Sequence, residues 1–517
     1  LFIVVAMASF KFSSSDVSLD SPTINREQAI GIAEDFLVTQ NITLPEGYEG
    51  NAMVVTGYPA SGFIWEELGS DAFSDLLGSY VLAPRWKVRF AKFDGDVETR
   101  VREVVVSVDF EGNPIRFYNK FPESEVGASL TQSDAKIIAD QALRDHFNLS
   151  TSMVSLVSAV ESQKPERLDW IFTYKEDREI SYEGSQFQSI VTISGDQLAG
   201  FSQSVYIPED WERMKRDREG FSGMLAMLFT IPGGLFIGGL LLIRSFKMLL
   251  DRKINLRKGL FFGAVIFISA LINFFNDSSF LMTMPTDQPI ANLMITMYIS
   301  SMIGLLVVSL IQVLFFGSLG RILKDTLNRT SLSDSIIGGL VAALLGAISA
   351  MLIGTFQLDL NPNFPRITLG GSYYPILDTF NIYGGFVSVA FTLFFAKILF
   401  EWTDGYANTI KSTLYGILLV MFVYGGEIGM QYNIGLSLLL ITLYSIVLFM
   451  VYKFIIKNNY MLIPFMVLFG RIINTFLNNE FGAFNSYPNE AILLVVSFAI
   501  GLVVWVQLTK FFFDSKQ

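Results

Sequence analysis

The side chains that most often do chemistry are scarce in this chain. Of 517 residues, one is histidine and none is cysteine. Thiol catalysis, iron–sulfur clusters and cysteine-type zinc sites are therefore excluded. A catalytic zinc draws on imidazole or thiolate, and carboxylates alone are an unusual set. The lone His146 sits in Arg144-Asp-His-Phe-Asn148 and is expected to be a surface or capping residue. The one adjacent glutamate pair, Glu66-Glu67, lies in the same polar half of the chain. A nucleophilic serine needs a base beside it, and the apolar half has no histidine to supply one. Asp378 and Asp404 fall at the edges of apolar stretches and outside any Gly-x-Gly-Asp motif. No Gly-rich loop ends in Lys-Ser or Lys-Thr, so ATP is not an expected ligand. No catalytic residue, metal ligand or cofactor site is expected.

What remains are polar residues inside apolar stretches, which are expensive there and mark function or helix pairing. Arg471 is the sharpest, about eleven residues into its stretch, roughly 16 Å deep at helical rise. Asn474 and Asn478 follow three and seven residues on, on one helical face. Glu427 and Gln312 lie in other stretches. Together these five form a candidate intramembrane seam. It is read as an Arg471–Glu427 pair joining spans, with a substrate or ion pocket and a partner contact as the alternatives. Lys397 and Glu401, four residues apart, are expected to pair locally or to reach toward the interface.

The elements that must position these residues are apolar spans. Nine are expected, at about 222–243, 259–276, 291–316, 335–355, 382–400, 412–429, 433–456, 460–478 and 491–509. Each is near or above the roughly 18 residues that cross a hydrocarbon core and is apolar all round. The composition agrees: 51% of the chain is hydrophobic. Basic residues recur in alternate loops: Arg244 to Lys258, Arg321 to Arg329, Lys397 and Lys411, Lys453 and Lys457, Lys510 and Lys516. In the other loops Arg366 is the one basic residue. Lys and Arg stay cytoplasmic, so the polar half and the C-terminal tail (510–517) are expected on opposite sides. A net charge of -11 argues against a nucleic-acid partner.

The polar half is expected as an α+β domain. Residues 1–10 read as the end of an N-terminal signal anchor, with a cleaved signal peptide as the rival reading, and 11–22 as a Ser- and Asp-rich linker. Residues 23–122 and 130–206 read as two copies of one unit. Asn25 with Gln28 and Thr131 with Asp134 are capping pairs ahead of helices carrying Ala29 and Ala33, or Ala135 and Ala139. Each copy then has an aromatic strand, Trp86 to Phe90 or Trp170 to Tyr174. Each ends in an alternating strand that runs into Gly112 or Gly195. Both tryptophans are expected in cores. Residues 207–221 read as a short charged connector helix feeding the first span.

This order resembles the PepSY-like domains of bacterial envelope proteins, a helix laid across a short sheet. The whole arrangement is similar to CAAX-type intramembrane metalloproteases with a duplicated ectodomain. The carrying pieces are Phe121-Pro-Glu-Ser-Glu-Val-Gly-Ala-Ser-Leu-Thr131, Leu168-Asp-Trp-Ile-Phe-Thr-Tyr174 and Ile207-Pro-Glu-Asp-Trp-Glu-Arg213. That family needs a Glu-Glu-x-x-x-Arg element and two intramembrane histidines, and neither is present. The resemblance therefore implies a multi-pass protein of the bacterial inner membrane, either a relative without the protease site or a different membrane protein sharing the ectodomain. It would be a scaffold or accessory subunit whose ectodomain contacts a membrane or periplasmic protein. An active or degenerate protease, and a transporter with a polar site between spans, are the alternatives.

Overall fold

The computed structural model describes residues 23–56, 59–277, 279–286, 288, 290–323, 331–354, 373–374, 377, 383–404, 409–424, 434–457, 459–477 and scattered positions from 495 to 510. The expected anchor and linker, most of the ninth span and most of the tail lie outside the described residues.

The polar half opens with α1 (Arg26–Thr39). The Asn25 side chain accepts from the Gln28 amide while the Gln28 side chain accepts from the Asn25 amide, each at 2.9 Å. This capping box satisfies two amides that the first turn leaves without helical partners. Next come β1 (Glu49–Val55), α2 (Pro59–Leu76), β2 (Arg85–Ala91), the short α3 (Val97–Arg100), β3 (Glu103–Val108) and β4 (Pro114–Lys120). The second half runs α4 (Gln132–Phe147), β5 (Val154–Gln163), β6 (Leu168–Glu176), β7 (Gln186–Ser194) and β8 (Gln197–Tyr206). Helix α2 has no counterpart in the second half, and it bends at Gly69, whose φ of 85° favours glycine.

The eight strands form one antiparallel sheet in the order β1-β2-β3-β4-β8-β7-β6-β5. The two halves were expected to carry a sheet each; they instead join edge to edge through β4 and β8. That seam is a short ladder, Phe117 opposite Phe201 and Tyr118 opposite Gly200. A Cβ on Gly200 would stand 3.1 Å from the Phe117 carbonyl, so glycine lets the strands close here. Phe36, Phe117, His146 and Phe147 pack around Phe201 across the seam.

One face of the sheet holds the helices. Ala29, Ala33 and Leu37 of α1 cover Trp86, Val88, Phe90, Val104, Val106 and Val108. Ala135, Ala139 and Leu143 of α4 cover Trp170, Phe172, Tyr174, Val191 and Ile193. Alanines at one-turn spacing let each helix lie close on the strands. The Trp86 indole donates to the Ile24 carbonyl at 3.2 Å, and the Trp170 indole donates to the Leu130 carbonyl at 3.1 Å. Each acceptor immediately precedes an N-cap, so each indole ties its strand to a helix start. Trp86 stands opposite Val108 and Trp170 opposite Ile193. Gly112 and Gly195 both turn at positive φ, 98° and 63°. The first turn is two residues longer, because Gly112 follows Val108 by four positions and Gly195 follows Ile193 by two.

The apolar half begins with α5 (Glu209–Leu250), in which the expected connector and the first span are one helix of 42 residues. Then follow α6 (Leu256–Asn276), α7 (Ser279–Thr283), α8 (Ile290–Leu323) and α9 (Leu332–Gly354). Also described are α10 (Tyr383–Asp404), α11 (Thr409–Tyr424), α12 (Ile434–Val451) and α13 (Ile463–Leu477). Among the described residues five helical stretches are long and apolar enough to cross a membrane: Ile231–Leu250, Leu256–Asn276, Ala291–Leu323, Leu332–Ser349 and Leu438–Ile456. Ile410–Val423 and Tyr460–Gly470 are shorter apolar stretches. Glycines set the closest crossings. A Cβ on Gly339 of α9 would come within 2.6 Å of the Phe465 Cβ of α13. Gly259 and Gly263 of α6 admit Val313 of α8 in the same way.

Candidate functional site

Among the described residues, two sets of contacts tie the sheet domain to the apolar helices, besides the Arg26 guanidinium that lies over the Tyr373 ring. The first is a clamp between α2 and the start of α5. Arg218 makes a two-pronged ion pair with Glu66, Nη1 to Oε1 at 2.6 Å and Nη2 to Oε2 at 2.7 Å. The Trp211 indole donates to Glu67 Oε1 at 2.7 Å, and its ring meets Phe63 edge-on at 5.0 Å. Trp211 is buried with Phe63, Ile64, Phe73 and Phe187. The adjacent glutamate pair thus binds protein partners on α5.

The second contact lies on the sheet face opposite α1 and α4. In β2, Trp86, Val88 and Phe90 point to the helices, so Arg85, Lys87 and Arg89 share the other face. Across the ladder Lys87 stands opposite Ser107, and Ser107 opposite Arg116 of β4. Arg89 pairs with Glu103 at 2.8–2.9 Å and donates through Nη1 to the Leu281 carbonyl of α7 at 2.7 Å. Thr286 donates to the other oxygen of Glu103 at 2.8 Å. Residues between α6 and α8 therefore dock on this face, with Met282 and Met284 buried. Arg85 and Arg89 are buried, and Lys87 is half-buried. Burial, then the charges of Arg89 and Arg85, push the Lys87 ammonium below the ordinary lysine range, against the pull of Glu103. Lys87 makes no hydrogen bond or ion pair with any described residue.

The edges of the sheet differ. Strand β1 packs against α7. Strand β5, ten residues long, exposes Leu156, Val157 and Val160, with Ile171 beside it on β6. At one end of β5 a cleft of about 390 Å³ is lined by Ser155, Lys175, Asp177, Arg178, Glu179 and Glu183 among others. Inside the domain, Tyr80 donates to the buried Glu176, which also accepts from Ser189 at 3.5 Å, while Gln203 donates to the Tyr80 oxygen at 3.1 Å. Burial and that bond push the Tyr80 phenol well above its ordinary range.

His146 is half-buried in the last turn of α4 and makes a contact that its polar setting did not announce. It stacks on Phe201 with ring centres 3.9 Å apart. Burial pushes its pKa down, while the neighbouring Asp145 pulls it up. Of the expected intramembrane seam, Glu427 and Asn478 lie outside the described residues. Arg471 and Asn474 lie on α13, and their side chains are outside the description as well. Gln312 is buried in α8, and its Oε1 has no hydrogen-bond partner among the described residues. Lys397 and Glu401 approach to 3.7 Å, but Glu401 pairs more closely with Arg244 of α5, at 2.8 Å. That contact and the Ser245–Ser318 hydrogen bond of 2.6 Å join α5 to α10 and α8. Local spacing gave no warning of these contacts. The alternation of cations with apolar residues along Arg85-Trp-Lys-Val-Arg-Phe90 was a signal for a charged sheet face that the reading as an aromatic strand missed. Among the described residues no three His, Asp or Glu side chains gather in a way that would hold a metal ion.

No family model, no curated protein and no solved structure matches this chain.

Proposed function

We propose that this is a non-catalytic, multi-pass membrane protein that serves as a scaffold or accessory subunit. Its sheet domain stands outside a bacterial cytoplasmic membrane and offers β5 to a partner protein. The observation that carries this reading is the contrast between the two sheet edges. An unpaired strand with exposed apolar residues is a template for strand addition, and folds usually protect it. Here β1 is packed against the chain's own α7, whereas β5 exposes Val160 at 55% and Val157 at 50%. The engagement of Glu66 and Glu67 with Arg218 and Trp211, and the stacking of His146, favour this over a working relative of the CAAX-type metalloproteases.

The finer architecture belongs to the same proposal. We read the halves of the domain as two PepSY-like copies, supported by the paired indole bonds of Trp86 and Trp170. We read the apolar half as nine spans with the basic loops inside. The meeting of Asn255, after α5, with the Gly317 carbonyl of α8 supports this, since it puts the basic ends of both helices together.

A photo-crosslinking residue at Val160 in the full chain, in intact membranes, tests the partner reading. The expected result is a discrete protein adduct that is lost when Leu156 is changed to Pro. An equal adduct pattern from a probe at the exposed Val38 of α1, or no adduct at Val160, would overturn it.

A further inference from the structure

Among the described residues, the face of the first half-sheet opposite α1 carries Arg85, Lys87, Arg89 and Arg116 beside Glu103, with Lys120 and Glu49 in the row of Glu103. Arg85, Lys87 and Arg89 follow one another at two-residue spacing on β2, and Arg116 lies two strands away in the Lys87 row. Two strand spacings are about 10 Å. Glu103 is already held by Arg89 and Thr286. Like charges side by side on a sheet face repel and destabilise it. A fold that keeps them together and half-buried gains if an anion is placed among them. Lys87 is the cation with no hydrogen bond or ion pair to any described residue, and the Ser107 hydroxyl position lies between it and Arg116. The cluster also has a defined setting. It adjoins α7, which connects the ends of two long apolar helices, α6 and α8. A group seated there stands where spans of that kind leave the hydrocarbon and meet the headgroups.

We propose that Lys87, Arg116 and Arg85 form a binding site for an anionic phosphate group, the chemistry shared by an anionic phospholipid headgroup and free phosphate. The site takes the anion on the sheet face beside α7. Guanidinium and ammonium groups are the usual pair for such a ligand, the first for directed hydrogen bonds and the second as a compact charge. The proposal is independent of the partner reading, because β5 is the opposite edge of the sheet from β1.

The test uses the full chain purified in mild detergent. Phosphatidylglycerol, phosphatidylcholine and inorganic phosphate are added separately, and binding is followed by native mass spectrometry and by the shift in thermal unfolding. Phosphatidylglycerol is expected to bind roughly tenfold more tightly than phosphatidylcholine, with the preference weakening as salt rises. Lys87→Gln is expected to remove that preference, Lys87→Arg to restore it, and Arg116→Gln to weaken it. Protection by inorganic phosphate equal to that by phosphatidylglycerol would support the site and assign it to a soluble phosphate. Protection by the lipid alone would assign it to a headgroup. Equal binding of both lipids with no phosphate effect would overturn the proposal. So would a preference unchanged in Lys87→Gln and Arg116→Gln proteins that keep the parent's tryptophan emission.

Discussion

Loss of the Glu66–Arg218 pair should loosen the sheet domain from the first long helix. Both side chains are largely buried, 15% and 19% exposed, and both prongs are short. Changing Arg218 to Gln removes the charge-assisted bonds and leaves the Glu66 carboxylate without them. Hydrogen bonds to charged groups contribute about 1.5–3 kcal/mol. About 2 kcal/mol is a fair expectation at this exposure. At 1.4 kcal/mol per decade, that raises the population of the open clamp roughly 30-fold. Trp211 and its bond to Glu67 remain, so the helix should loosen locally without the domain unfolding. Amide hydrogen exchange in the full chain reads this directly, because exchange of the 210–218 amides follows local opening. Those amides should exchange roughly 30-fold faster in Arg218→Gln, while the amides of β2 and β3 stay unchanged. Glu66→Gln should act similarly, and the double variant should cost about 1–2 kcal/mol less than the sum of the singles. Additive single and double effects, or unchanged exchange at 210–218, would refute the clamp.

Three further outcomes follow from the packing. His146 has its pKa lowered by burial against Phe201, so the unfolded chain binds more protons between the lowered folded value and the ordinary value near 6.5. Stability of the sheet domain should therefore be full above that window, fall as pH drops through it, and level off below. Thermal unfolding from pH 8 to 5 should show a smaller slope for His146→Phe than for the parent. Gly339→Ala should cost about 1–3 kcal/mol, because its Cβ would press on Phe465 and Met466. Gly346→Ala in the same helix, with nothing within 4 Å, should be neutral or stabilising in the same detergent melts. Trp86→Phe and Trp170→Phe should each cost about 1–3 kcal/mol in chemical denaturation, since each strands a carbonyl before an N-cap. Costs differing by more than that range would argue against equivalent halves.

Much of the local structure was legible in the chain. Capping at Asn25 and Thr131, the small residues of α1 and α4, and the alternation in β2, β3 and β7 each follow from contacts within a few residues. The seam residues at Arg471 and Gln312 were legible only as polar residues at apolar depth. What faces them depends on which helices are neighbours, and span order alone does not decide that. At His146 the sequence was silent on the stacking partner, because its neighbours Asp145 and Arg144 say nothing of the Phe201 ring that arrives from β8.

By itself the sequence determined which residues seek water and which avoid it, and with what period. That was enough to separate an α+β half from an apolar helical half and to show that metal and thiol chemistry have few ligands to work with. Only the tertiary structure decided that the two halves of the domain share one sheet, through just two facing pairs at β4 and β8. It also decided that Glu66 meets Arg218 and that Arg89 meets the Leu281 carbonyl, 152 and 192 residues apart in sequence. The reason is physical. A hydrophobic period fixes which face of an element is buried, but any apolar face of similar size would bury it equally well. The choice of partner rests on particular distances and charges, such as a glycine thin enough for a close strand or a guanidinium that reaches a carboxylate, and these exist only once the chain is folded.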